Sequence, residues 1–166
     1  MDLDKLDKCW LAAHVKPGWE TKSAHVLSEN GHEGFVPLYQ RKRRWSDRIK
    51  VMLVPLFPGY VFCKFNVHSR HPVIHTPGVI RFVGFGNCPI PIENSEIEAL
   101  QLASNSKAAC GPYPFVEVGH KIQVKNGPLA GLQGIVVRFK SRDRLVISVN
   151  QLRQSMFVEL DRFEVA

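Results

Sequence analysis

Absences bound this 166-residue chain before any motif is read. Its four cysteines, at 9, 63, 88 and 110, include no C-x-x-C spacing, which argues against a zinc ribbon and against a thioredoxin-type redox pair. The N-terminal MDLDKLDK lacks the apolar segment of an export signal, so a disulfide framework is not expected and a reducing cytoplasm is. Long apolar runs are missing too. Val51 to Cys63 is interrupted at Pro55 and Pro58, far short of the ~20 residues that cross a bilayer, so a soluble protein with no membrane partner is expected. There is no G-x-S-x-G elbow, P-loop, H-E-x-x-H or G-x-G-x-x-G; Gly84-Phe85-Gly86 has neither the third glycine nor the following helix. No enzyme, metal or cofactor is expected.

Acidic residues are in deficit, with 15 Asp and Glu against 22 Lys and Arg for a net charge of +7. Such a balance points to a polyanionic partner only where the cations cluster. They do cluster. Residues 41–50 hold six cations and one acid, and residues 138–144 hold four and one, so these two segments exceed the whole net charge. Hydrophobic residues make up 45% of the chain, enough for a packed core, and the length suits one domain or two small ones.

Along the chain, Cys9 to Val15 (CWLAAHV) reads as a buried strand that ends in a turn at Lys16-Pro17-Gly18. Trp19, Lys22, Ser23, Val26 and Leu27 then follow helical spacing up to Glu29, and Asn30-Gly31 provides a stop. Extended character resumes at Gly34 to Tyr39 and again at Ile49 to Val54, which implies a long hairpin with a basic tip. After the Pro55 to Gly59 bend, Tyr60 to Phe65 reads as a central strand and Val79 to Phe85 as another. Between them, residues 67–75 allow a short helix limited by Pro72, and a further helix starts at Asn94 or Ser95.

Ser104 to Pro114 has linker composition. Beyond it, strands at 121–124, 134–139, 145–149 and 155–160, with turn signals at Asn126-Gly127-Pro128 and Arg142-Asp143, suggest a small barrel.

Four groups of residues carry a functional signal. Arg41 to Arg44 with Arg48 and Lys50 read equally as a solvated hairpin tip or as a phosphate-tracking surface; Trp45 within the run favours the second, since an indole stacks on bases. Phe57, Tyr60 and Phe62 flank a Pro-Gly turn, where they serve either as core or as an outward-facing interface patch. His68, His71 and His75 have spacings that raise zinc, but Pro72 and the lack of nearby cysteine or carboxylate argue against it. Finally, Val118 to Val136 (VGHKIQVKNGPLAGLQGIV) places Gly127-Pro128 and Gly131 in a tight excursion between strands and Gly134 at a close backbone approach. This segment looks like a KOW motif.

Together, Trp10 to Glu20, Leu56 to Phe62 (LFPGYVF) and the KOW segment closing at Val158 to Asp161 make the chain resemble the NusG family of bacterial transcription elongation factors from Trp10 to the end. The middle block and Gly78 to Gly86 are most similar to specialised, operon-specific RfaH-like antitermination paralogues. The resemblance implies an α+β protein: an NGN domain over 1–103 with an antiparallel sheet and flanking helices, a linker at 104–114, and an SH3-like β-barrel (KOW) over 115–166. It further implies a non-enzymatic, monomeric factor that suppresses pausing, with its NGN domain on the β′ clamp helices of RNA polymerase and bridging to the β subunit. On that resemblance His14, Phe57, Tyr60 and Phe62 are polymerase-binding, and His68, Ser69 and Arg70 align loosely with the segment that meets β. Lys16 matches a cation that meets non-template DNA, and charge extends this assignment to Arg43, Arg44 and Trp45. Leu132, Leu152 and Gln154 match a face used for a small-subunit ribosomal protein or for Rho. The alternatives are a general housekeeping factor of the same family and a KOW-containing ribosome- or RNA-binding protein without polymerase activity.

Overall fold

The computed structural model describes residues 8–66, 71–86, 88–116, 119 and 121–160, which group into two compact units: 1–36 with 57–97, and 37–56 with 98–166. Mixed α+β architecture is observed, as the sequence implies.

The first unit is built on β1 (Lys8–Val15). It pairs antiparallel with β5 (Tyr60–Asn66) and β6 (Val79–Phe82), while β2 (Glu33–Phe35) lines the far edge of β5, giving the order β2-β5-β1-β6. Side chains alternate across the sheet. Leu11, Ala13 and Val15 of β1 and Val61, Cys63 and Phe65 of β5 point to one face, where they bury Leu27 of α1 (Glu20–Glu29). Trp10 and Ala12 on the opposite face are buried as well, which is why CWLAAHV reads as an unbroken apolar run rather than as an alternation.

Trp19 stands at the N-terminal boundary of α1, where its carbonyl accepts from the N–H of Ser23, and Gly31 at φ +84° ends the helix as the N–H of His32 returns to the carbonyl of Leu27. The helix buries Glu20, Ser23 and Leu27; Lys22, expected on that face, is exposed. Ser23 donates its hydroxyl to the carbonyl of Pro77 at 2.8 Å and so ties the helix to the loop that enters β6.

Short elements complete the order after β5: α2 (His71–Ile74), β7 (Gly84–Phe85) paired with β8 (Cys88–Pro89), and α3 (Asn94–Asn105). Of the short helix expected over 67–75, residues 67–70 lie outside the described residues.

In the second unit, β3 (Leu38–Arg44) and β4 (Ile49–Pro55) form the expected hairpin, closed by the N–H of Trp45 donating to the carbonyl of Arg48 at 2.8 Å. The remaining sheet has the order β10-β11-β12-β13-β9, from β9 (Cys110–Tyr113), β10 (Lys121–Gln123), β11 (Gln133–Phe139), β12 (Arg142–Val149) and β13 (Gln154–Leu160). Two expectations are corrected. The stretch 104–114 contains the end of α3 and strand β9, because Cys110 to Tyr113 find a ladder on β13. The turn before β12 falls at Lys140-Ser141, with Lys140 at φ +56°, so Arg142 and Asp143 are strand residues paired with Phe139 and Arg138.

The glycine-rich excursion between β10 and β11 folds back on itself. Val124 donates to the carbonyl of Leu132 and Gly131 to that of Val124, which requires the positive φ of Gly131 and buries Leu129. A methyl group at Gly134 would collide with the carbonyl of Val146, so this glycine sets the spacing of β11 on β12.

Candidate functional site

The LFPGYVF block turns on Gly59, at φ +85°, with the N–H of Tyr60 returning to the carbonyl of Phe57 at 3.2 Å. Pro followed by Gly at the two central positions is the pairing a type II turn requires. Two further bonds fix it: Gly59 donates to Oε1 of buried Glu20 at 2.9 Å, and its carbonyl accepts from Val15 at 2.8 Å.

This turn divides the aromatic residues. Phe57 and Phe62 are 1% and 0% exposed, packed edge-to-face with centroids 6.0 Å apart, and Phe62 also meets Phe35 at 6.0 Å. Their expected role as direct contacts is corrected: both rings are core. Tyr60 and His14 reach the surface as cross-strand partners with ring centroids 5.4 Å apart. On the other side His14 is paired with Arg81, and the β1–β6 register shifts immediately after this pair. The half-buried phenol and imidazole and the exposed Arg81 therefore form one row across three strands.

Arg81 and Glu20 are the site residues that sequence reasoning missed. Arg81 was legible only as a strand residue, since the register that sets it beside His14 is not local. Glu20 stood within a quoted block, but its partner is a backbone group 39 positions away. Lys16 is exposed at the end of β1, with its N–H bound to the carbonyl of Gly78. His68, Ser69 and Arg70 lie outside the described residues.

The basic hairpin has two chemically different faces. Its register pairs Arg43 with Lys50 and Arg41 with Met52, and alternation continues this face to Trp45 and Arg48 at the tip. Trp45 is 43% exposed, with Nζ of Lys50 4.8 Å and Cζ of Arg48 5.9 Å from its ring centroid. Arg44, expected beside Arg43 and Trp45, pairs with Ile49 on the opposite face together with Lys42 and Val51. One face thus offers four cations and an indole, with two of the cations within 6 Å of the ring centroid, a combination that tracks phosphates and stacks bases.

In the second sheet Leu132 and Leu152 are buried, so their expected role as a direct partner face is corrected as well; Gln154 is half-buried. Leu152 lies in the turn where its N–H returns to the carbonyl of Val149, and its side chain joins the core. Part of the second basic segment is neutralised internally. Glu159 accepts from Arg142 at 2.8 Å and from Arg144 at 3.4 Å, and the guanidinium of Arg144 lies 3.8 Å from the ring centroid of Phe157. Arg138 and Lys140 are exposed.

Taken by its geometry, this is an α+β protein of two units that presents an aromatic–cationic row on one sheet and a cationic, indole-bearing hairpin, both suited to binding macromolecules. A family model described as transcription termination factor NusG matches residues 8–101, more than half of the chain. The chain belongs to the NusG family. It is 33% identical over 158 residues to the transcription termination/antitermination protein NusG of Vibrio vulnificus, covering 91% of this chain and 82% of that protein. The Helicobacter pylori J99 protein of the same name is 32% identical over 101 residues, 60% of this chain and 57% of that protein, so this match spans little more than half of the relative's length. The solved structure of Thermotoga maritima NusG shares the fold, with a TM-score of 0.56 and 22% identity over 95% of this chain and 96% of that one. NusG family members are transcription factors rather than enzymes. Among the described residues, no helix is long and apolar enough to cross a membrane.

Proposed function

We propose that this protein is a processive, antiterminating transcription factor of the operon-specific RfaH-like kind that acts as a cytoplasmic monomer on RNA polymerase. The observation that carries the reading is the Tyr60–His14 pair, which sets Tyr60 of the block that resembles the family's clamp-binding patch beside His14 of β1 at the surface. Tyr60, His14 and Arg81 form the contact with the β′ clamp helices, and Phe57 and Phe62 set the shape of the turn from beneath. Residues 1–103 provide this NGN function, with a secondary contact to the β subunit, and residues 115–166 the KOW function toward a ribosomal protein or Rho.

The non-template DNA strand is assigned to the hairpin face of Arg41, Arg43, Trp45, Arg48 and Lys50; Lys16, in the other unit, is a separate candidate cation. What supports this is the placement of two cations within 6 Å of an exposed indole. Binding of purified polymerase to the Tyr60→Ala, His14→Ala double variant tests the main assignment; retention of wild-type affinity would refute it.

A further inference from the structure

The hairpin carries a second face that the nucleic-acid reading leaves unused. Ile49, Val51 and Leu53 of β4 stand on it in one row, 66%, 52% and 65% exposed, opposite Arg44, Lys42 and Gln40 of β3. Three consecutive same-face aliphatic side chains in water are a cost that a free strand has no reason to carry. The outer edge of β4 is open as well. Among the described residues β4 ladders with β3 alone, over seven residues and with no bulge in the register. Proteins ordinarily shorten, bend or cover such an edge, because its backbone groups are a template for another strand.

We propose that the outer edge of β4 docks an extended polypeptide segment in which apolar and acidic residues alternate. An added strand continues the pleat, so every second side chain of the segment lies beside Ile49, Val51 and Leu53. The intervening side chains lie beside Arg48, Lys50 and Met52, which occupy the other face of β4. Charge decides what those side chains are. With Arg48 and Lys50 on that face of β4, and Arg41 and Arg43 beyond them on β3, a neutral or basic strand gains nothing on that side, whereas carboxylates at every second position meet complementary charge. The same balance disfavours a second copy of this chain, since pairing two β4 edges brings together two hairpins of like charge. The apolar row and the free edge carry the docking site independently of the polymerase assignment, while Arg48 and Lys50 are shared with the nucleic-acid face.

The test uses the full chain and two fluorescein-labelled peptides of one composition, EVEIEVEV and EEEEVVIV, with fluorescence anisotropy at low salt and amide hydrogen exchange as readouts. The alternating peptide is expected to bind at least tenfold more tightly than the block peptide and to protect amides of β4. Val51→Asp should weaken the alternating peptide at least tenfold, and Leu53→Asp provides the same comparison if Val51→Asp disturbs the hairpin. Equal binding of the two peptides, unchanged binding by both variants, or protection confined to other elements would overturn the proposal. So would a concentration-dependent dimer in sedimentation that Val51→Asp abolishes, since the row would then belong to a second copy.

Discussion

The backbone N–H of Gly59 donates to Oε1 of Glu20 across 2.9 Å, joining the first turn of α1 to the turn that presents Tyr60. The carboxylate is buried, so this bond exchanges little with water and fixes both ends. Removing the acceptor strands a backbone donor. Glu20→Ala is expected to lower unfolding stability by about 1–3 kcal/mol and to weaken polymerase binding with it, whereas Glu20→Gln, which keeps an amide oxygen at the site, should recover most of both. Urea denaturation beside a polymerase-binding titration checks the pair.

The burial difference within the aromatic block predicts a division of roles. Phe62→Ala empties a fully buried site between Phe35 and Phe57 and should cost about 3–5 kcal/mol of stability. Tyr60→Ala removes a half-buried ring at the surface and should cost no more than about 2 kcal/mol while abolishing most polymerase affinity. Thermal or chemical denaturation of the two variants, compared with their binding, separates core from contact.

For the hairpin, alternation assigns adjacent arginines to different faces. Arg43→Gln should lower affinity for single-stranded DNA and reduce the slope of log K against log salt concentration by about 0.7, the value for one lost single-strand phosphate contact. Arg44→Gln, on the opposite face, should change the slope by less than half of that. Titrations at several salt concentrations read this directly.

The thiols differ in reactivity for a structural reason. Burial, with a smaller contribution from neighbouring Cys9, pushes the Cys63 thiol up to about 12, while Cys88 is exposed. Only the thiolate reacts. Cys88 should label rapidly with a thiol reagent at pH 8, and Cys63 only on unfolding. Because the folded form holds the Cys63 proton more tightly than the unfolded chain, whose thiol titrates near 9, its contribution to stability is complete below that pH. It is lost as pH rises from there toward 12, and alkaline denaturation of Cys63→Ser should lack this component.

Much of the fold was legible because its signals are local. The apolar run of β1, the Asn30-Gly31 stop of α1, the basic hairpin and the glycine loop between β10 and β11 each follow from neighbouring residues. Strand β9 did not, since Cys110-Gly111-Pro112-Tyr113 has weak strand character and is held by pairing with β13, Gly111 lying against the ring of Phe157. The site was legible in part. Sequence named Tyr60, His14, Arg43 and Trp45, which the structure places at the surface, but it did not say which members of the aromatic block reach solvent. Phe62 is buried on a strand, while Phe57, Leu132 and Leu152 lie in turns whose side chains fold back into the core, which no local period signals. The capture of Arg142 and Arg144 by Glu159 was invisible because the partners are 17 and 15 positions away.

In the proposed function, the surface row of Tyr60, His14 and Arg81 holds RNA polymerase. Surface-immobilised core polymerase, titrated with wild-type protein and with the Tyr60→Ala, His14→Ala double variant shown by circular dichroism to be folded, measures it most directly. At least a tenfold rise in Kd is expected for the variant; an unchanged Kd with the fold intact would refute the assignment.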